Sequence, residues 1–239
     1  MNYIIKQLFL KDKRSRVEKF RNILSFASTI LEGEHPNIIY DLIYSLGKPY
    51  QLKIINDCIM GNSISPDTAF REEHLFFKHA NDKYRLRKTD TNGSFINFHQ
   101  HLRNNTLSPT STLIYTFPWS NERLRNAFNN IGGKVGNPWI NDSLNHRVTY
   151  FIPINIGYVA NGNHSTAINI INNEAPMNIT EEIDLAPIYD EIYTDGIFFR
   201  RISDDSIVDE VASTEFAAIF EIGRLIINKN EHKIDFLSC

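Results

Sequence analysis

Two cysteines in 239 residues, Cys58 and Cys239, are too few for a disulfide framework or a cysteine-built zinc cluster. Their scarcity leads us to expect a reducing compartment, with the cytoplasm as the default. No apolar run approaches the ~20 residues of a membrane span. The partly apolar Met1–Leu10 is followed at once by Lys11, Asp12, Lys13 and Arg14, which is not the flank of a signal peptide. Charge of one sign is missing too: 25 basic against 28 acidic residues leave a net −3, so no global basic field drives binding to duplex nucleic acid. Walker loops, Gly-x-Ser-x-Gly elbows and His-Glu-x-x-His helices are all lacking, which sets those enzyme classes aside. Asp184, Asp190, Glu191 and Asp195 lack the spacing of a calcium loop. What the chain does have is 42% hydrophobic content, enough to bury a core in one large domain or a domain with an extension.

Apolar periodicity divides the chain near residue 80. Val17, Phe20, Ile23, Leu24, Ala27, Ile30 and Leu31 recur at helical spacing and end at Gly33. Pro36 then predicts a second helix ended by Gly47, and Pro49 a third ended by Gly61. From residue 81 the texture turns to strands. Asp90-Thr91-Asn92-Gly93 predicts a hairpin turn, Leu113–Phe117 a strand, and Leu124 to Ile131 a short helix closed by Gly132-Gly133. Val148–Val159 predicts one long strand, and Ser213 or Thr214 caps a last helix reaching about Asn228. The expected class is α/β or α+β, with a helical region over 1–80 packed on a mixed-sheet domain over 81–239.

The most site-like feature is the strand–turn–helix from Tyr150 to Ile171, with Asn161-Gly162-Asn163-His164-Ser165 at its turn. Gly162 permits a backbone conformation closed to other residues, and Asn161 tolerates a similar one. A helix starting near Ser165 or Thr166 would leave first-turn N–H groups without partners, at the positive end of its dipole, where phosphate or carboxylate binds. Asn163, His164, Ser165 and Thr166 add side-chain donors. An imidazole at a helix N-terminus tends to the neutral form, able to act as base or to hydrogen-bond a ligand. The plain structural alternative is that Asn161 and Ser165 merely cap a helix.

The run Gly157 to Ser165 resembles the signature turn of the ParB and sulfiredoxin-like superfamily, in which an Asp-Gly-x-His-Arg type sequence follows a strand and opens a helix that binds nucleotide phosphates. Asn161 stands here for the usual acid and Ser165 for the usual Arg, so the resemblance implies the backbone cradle and not the family's Arg contact. A second resemblance runs from about Pro118 to Leu225. Pro118-Trp119, Arg123-Leu124, Asn137-Pro138-Trp139, Asn145-His146, Pro153, the Gly162–Ser165 run and Ala218 to Arg224 together look like an uncharacterised bacterial family of unknown function.

Other constellations are weaker. Glu221 and Arg224 share a helix face, as a phosphate clamp with a neighbouring base or as an ion pair at the edge of a core. Asn145-His146-Arg147 would lie roughly 40 Å from the Gly162 turn on a straight strand, and reach it only if the chain bends near Pro153. His99 and His101 alternate as metal ligands do, but lack a third ligand. Lys83, Arg85, Arg87 and Lys88 could track phosphates, although a charged edge strand is the commoner use of such a run. The sequence thus points to a nucleotide- or phosphoester-acting protein, hydrolase or transferase. Asn161, Gly162, Asn163, Ser165, Thr166 and Arg224 are the expected anion ligands and His164 and Glu221 the expected catalytic groups. The expected cofactor is a nucleotide, with Mg left open. The alternative is a non-catalytic regulatory or interaction module of a bacterial mobile-element or defence system, with a protein partner.

Overall fold

The computed structural model describes residues 3–62, 65–66, 71–80, 84–100 and 105–237. Lys83, His101 and Cys239 lie outside them. In chain order the main elements are α1 (Tyr3–Glu32), α2 (Ile39–Ile59), β1 (Phe98–Gln100), β2 (Thr106–Leu107), β3 (Leu113–Tyr115), α3 (Asn121–Asn130), β4 (Arg147–Ile152) and β5 (Ile156–Asn161). There follow α4 (Asn163–Asn172), β6 (Met177–Asn178), β7 (Glu181–Asp184), α5 (Ala186–Tyr189), β8 (Ile192–Thr194), β9 (Phe198–Arg201), β10 (Ile207–Glu210) and α6 (Thr214–Leu237). The chain is of mixed α/β class. Among the described residues no helix is long and apolar enough to cross a membrane.

Two compact units result, and neither is contiguous in sequence: one comprises Met1–Leu42, Glu73–Arg85 and Ala186–Cys239, the other Ile43–Glu72 and Leu86–Leu185. A linear boundary near residue 80 is therefore not where compactness divides the chain.

In the first unit α1 packs along α6. Phe216, Ala217, Ala218, Ile219, Phe220 and Ile222 are all buried on α6, and Ser213 opens it by accepting the Phe216 N–H at 3.1 Å. Phe220 lies edge-on to Phe76 at 5.5 Å and to Phe199 at 5.0 Å. Phe199 comes from the three-stranded antiparallel sheet β10-β9-β8, so the aromatic cluster joins helix to sheet.

The second unit is built on a five-stranded sheet of order β1-β7-β4-β5-β3. β3 runs parallel to β5 and β4 parallel to β7, while β4–β5 and β1–β7 are antiparallel. Ile114, Val148 and Val159 from this sheet share a buried cluster with Leu124 and Ala127 of α3 and Ala167, Ile168 and Ile170 of α4. Burying each of the Ile, Leu and Val side chains contributes roughly 1.5–3 kcal/mol, so the two helices are held on the sheet by this core.

Two expectations are corrected. Pro36 does open a 3-10 turn leading into α2, but Gly47 and Pro49 do not divide two helices: α2 runs through both to Ile59. Gly47 serves close packing instead, since a Cβ there would lie 2.1 Å from Leu113 Cδ2. Val148–Val159 is two strands, not one. The chain reverses at Pro153–Asn155, with Asn155 at φ 52° and its Oδ1 accepting the Tyr150 hydroxyl at 2.6 Å. Arg147 consequently pairs with Asn161 across the hairpin. The Asp90–Gly93 turn forms as read: Asp90 Oδ1 accepts from Asn92 and Ser94 N–H at 2.8 and 2.9 Å, and Gly93 takes φ +81°.

Candidate functional site

Strand β5 ends at Asn161, Gly162 turns the chain at φ +82°, and α4 begins at Asn163, two residues earlier than the sequence pattern suggested. Gly162 is required twice over. Its φ lies in the left-handed region, and a Cβ there would stand 2.3 Å from His146 Cδ2. Among the described residues no side chain caps α4. Its first-turn amides therefore keep the unmet donor capacity of any helix start, at the positive end of the dipole.

His146 lies beneath the turn because the β4–β5 hairpin folds back, and it carries the local scaffold. Its ring stacks on Trp139 at 4.7 Å. Nδ1 accepts the Asp142 N–H at 2.9 Å, so the ring proton resides on Nε2, which donates to Ser165 Oγ at 2.7 Å. Ser165 Oγ in turn donates to the Gly162 carbonyl at 3.0 Å. With the proton on Nε2, this His–Ser pair is a strut and not an activated nucleophile, which needs the lone pair facing the hydroxyl. Burial lowers the His146 pKa against the opposing charge of Asp142. Glu174 fixes the Trp139 loop, accepting the Gly133 and Trp139 N–H groups at 2.8 and 2.7 Å; those amides hold its carboxyl below the usual range.

Asn163 and Ser120 tie the turn to the segment before α3. The buried Asn163 Oδ1 accepts from Thr116 Oγ1 at 2.9 Å and Phe117 N–H at 2.8 Å, so its carboxamide oxygen is committed within the fold. His164 Nε2 accepts the Ser120 N–H at 3.1 Å, and its ring meets Trp119 edge-on at 5.1 Å. Burial, then the nearby Arg123 charge, bring its pKa down to about 4. At neutral pH the imidazole is uncharged, its Nε2 lone pair is taken, and Nδ1–H remains as a donor. Thr166 is fully buried and does not line the cleft.

In front of the turn is an open cleft of about 420 Å³ lined by Trp119, Arg123, Asn126, Asn145 and Asn161–Ser165, with Ala127 and Ile131 as its apolar part. Among the described residues Arg123 is the one formally charged side chain lining it. Its guanidinium stacks over the Trp119 ring at 4.6 Å, and no carboxylate among the described residues lies within ion-pair distance. Sequence reasoning did not single out Arg123 as a ligand. The available signal was Ser120, which caps α3 by accepting the Arg123 N–H at 3.3 Å and so puts Arg123 one turn on from Trp119.

Glu221 and Arg224 belong to the other unit and are committed there. Arg224 donates to Glu221 Oε2 at 2.7 Å, to the Ile192 carbonyl at 2.6 Å and to the Tyr189 carbonyl. Glu221 Oε1 accepts the Thr194 N–H at 2.9 Å. The pair stitches α6 to α5 and β8. In the basic run, Arg87 is bound to Glu72 at 2.7 Å and Glu181 at 2.9 Å, and Arg85 lies 3.9 Å from Glu73, so those charges are spent within the protein. Among the described residues no group of three or more His, Cys, Asp or Glu side chains converges as metal ligands would.

Fold and site together define a mixed α/β protein with a strand–turn–helix cleft that brings Arg123 to the uncapped start of α4. The chain belongs to a family of unknown function (DUF6710), whose model matches residues 5–233 and so extends well beyond the Pro118–Leu225 stretch read from the sequence. No curated protein and no solved structure matches it.

Proposed function

We propose that this chain binds a phosphorylated small molecule, with nucleotides as the class, at the cleft before α4. The observation that carries the reading is the meeting, in one cleft, of uncapped first-turn amides and the unpaired guanidinium of Arg123. Arg123 holds a phosphate by charge, the amides of Asn163, His164 and Ser165 cradle it, and His164 Nδ1–H and the Asn161 carboxamide donate beside it. The likeness of the turn to the ParB and sulfiredoxin-like signature supports nucleotides over other anions. Recognition is better supported than proton transfer, because His164 can take up a proton at Nε2 only by releasing the Ser120 N–H.

Calorimetric titration with ATP, CTP, GTP and inorganic phosphate tests the reading. Arg123→Ala should weaken binding about tenfold or more, as loss of a charge-assisted contact does, while Arg125→Ala, outside the cleft, should leave it unchanged. Absence of heat with all four ligands, or indifference to Arg123→Ala, rejects it. A second reading, a protein-docking module, is favoured by the exposure of Leu144 (90%) and Ile140 (76%) on the loop before β4. It expects a stable complex lost on Leu144→Asp, with no nucleotide bound.

A further inference from the structure

We infer that the groove between α1 and the β8–β9 turn in the first unit is a second binding site, for a segment of single-stranded nucleic acid. It encloses about 730 Å³, and its walls are Lys13, Arg14 and Arg21 of α1 facing Phe198 and Arg200 of β9. Lys13, Val17 and Arg21 recur every four residues, and Arg14 and Arg21 lie seven apart, so all four line one helix face. The opposite wall is rigid. Asp195 Oδ1 accepts the Ile197 and Phe198 N–H groups at 2.8 Å each. Gly196, at φ +87°, packs so tightly on Phe20 of α1 that a Cβ there would lie 2.6 Å from its ring. Helix and turn are thus pinned together, and the groove exists before any ligand arrives.

The charges in the groove do not cancel. Arg200 is matched by Asp195 at 2.9 Å and Asp205 at 3.4 Å. Lys13, Arg14 and Arg21 have no carboxylate within ion-pair distance among the described residues, against Glu18 as the single unmatched acid lining the groove. Lys13 Nζ stands 5.2 Å from the Phe198 ring centroid, an aromatic surface held beneath a cation. From Lys13 to Arg21 the helix rises about 12 Å, more than the phosphates of one nucleotide span and suited to successive phosphates of a strand. Cations tracking a backbone beside an aromatic ring on which a base can stack are the elements of sequence-tolerant single-strand recognition. A concave groove with a half-buried ring is a poor match to a flat membrane surface. Overall charge is −3, which keeps the site local: duplex DNA meets no general basic field.

Fluorescence anisotropy of labelled oligothymidylate and oligouridylate of about ten nucleotides, within the ~4–16 of such sites, tests the inference on the full chain. Three phosphate contacts predict a salt slope near −2, so affinity should fall roughly twentyfold between about 50 and 200 mM salt. The double variant Arg14→Gln, Arg21→Gln, both exposed and unpaired, should bind more weakly and lose only about threefold over the same range. Phe198→Ala should cost about tenfold, and Arg123→Ala should change nothing, which separates this site from the cleft proposed above. Circular dichroism confirms that each variant is folded. The inference is overturned if the intact chain fails to bind at the lower salt, if the double variant binds as the wild type does, or if Arg123→Ala abolishes binding. It is equally overturned if duplex, a mononucleotide or polyglutamate displaces the strand charge for charge.

Discussion

Replacing Gly162 by alanine isolates the packing on which the cleft rests. An L-residue held in the left-handed region costs about 1–2 kcal/mol. The added methyl would also stand 2.3 Å from His146 Cδ2, so the imidazole must leave its place. Leaving it gives up the hydrogen bonds with Ser165 and Asp142, worth about 1 kcal/mol each, and the stack on Trp139, worth about 0.5–1.5 kcal/mol. The total is about 3.5–5.5 kcal/mol, which for a chain of this size lowers Tm by roughly 7–22 °C. Urea and thermal unfolding, followed by circular dichroism, should be measured for Gly162→Ala, His146→Ala and the double variant. In the His146→Ala background the clash is gone, so Gly162→Ala should cost only the ~1–2 kcal/mol backbone part. Strict additivity, within about 0.5 kcal/mol, would refute the claim that Gly162 is fixed by the ring beneath it.

Acid should weaken the fold between about pH 6.5 and 4. The unfolded chain takes up a proton at His164 near pH 6.5, whereas the folded chain does not until about 4, and His146 is shifted the same way. Stability is therefore fully present above pH 6.5 and declines as pH falls. With His164 half exposed, solvent screening reduces its share to on the order of 1 kcal/mol. Unfolding midpoints from pH 7 to pH 4.5 should fall less steeply for His164→Gln, and parallel curves would contradict the assignment. Glu221→Ala should cost about 3 kcal/mol, since it strips Arg224 of its carboxylate and the Thr194 N–H of its acceptor. Glu221→Gln, which keeps an acceptor oxygen, should cost less; equal losses in the two variants would show that the pair contributes by bulk alone.

Where neighbouring residues decide the structure, the sequence was legible. Asn92-Gly93 between short apolar runs and Asn161-Gly162 after a strand each carry their own local chemistry, and each formed the expected turn, although the first is closed by a single isolated bridge, Thr89 to Phe95, and not by a pair of strands. Misreadings came where a distant residue decides. Gly47 looked like a helix stop, but the missing side chain answers to Leu113, far along the chain. The reversal at Pro153–Asn155 lies inside an apolar run without an Asn-Gly signal, so one strand was read where there are two. That single turn supplies the bend near Pro153 on which the reading of His146 depended, and it makes His146 the support of the site. Glu221 and Arg224 were legible as a pair at helical spacing, yet the carbonyls of Tyr189 and Ile192 that engage Arg224 come from other elements, which no local pattern reveals.

The interleaving of the two units has a consequence for synthesis. Of the described elements, α1 leaves the ribosome before all the others, and α6, against which it packs, leaves after them. Until then the apolar stripe of α1 has no permanent cover, and the closing of so long a loop must precede its reward. The second unit, whose segments lie between, can fold while the first still waits, so a nascent chain stalled before residue 214 would carry one folded unit and an α1 whose apolar stripe is still uncovered.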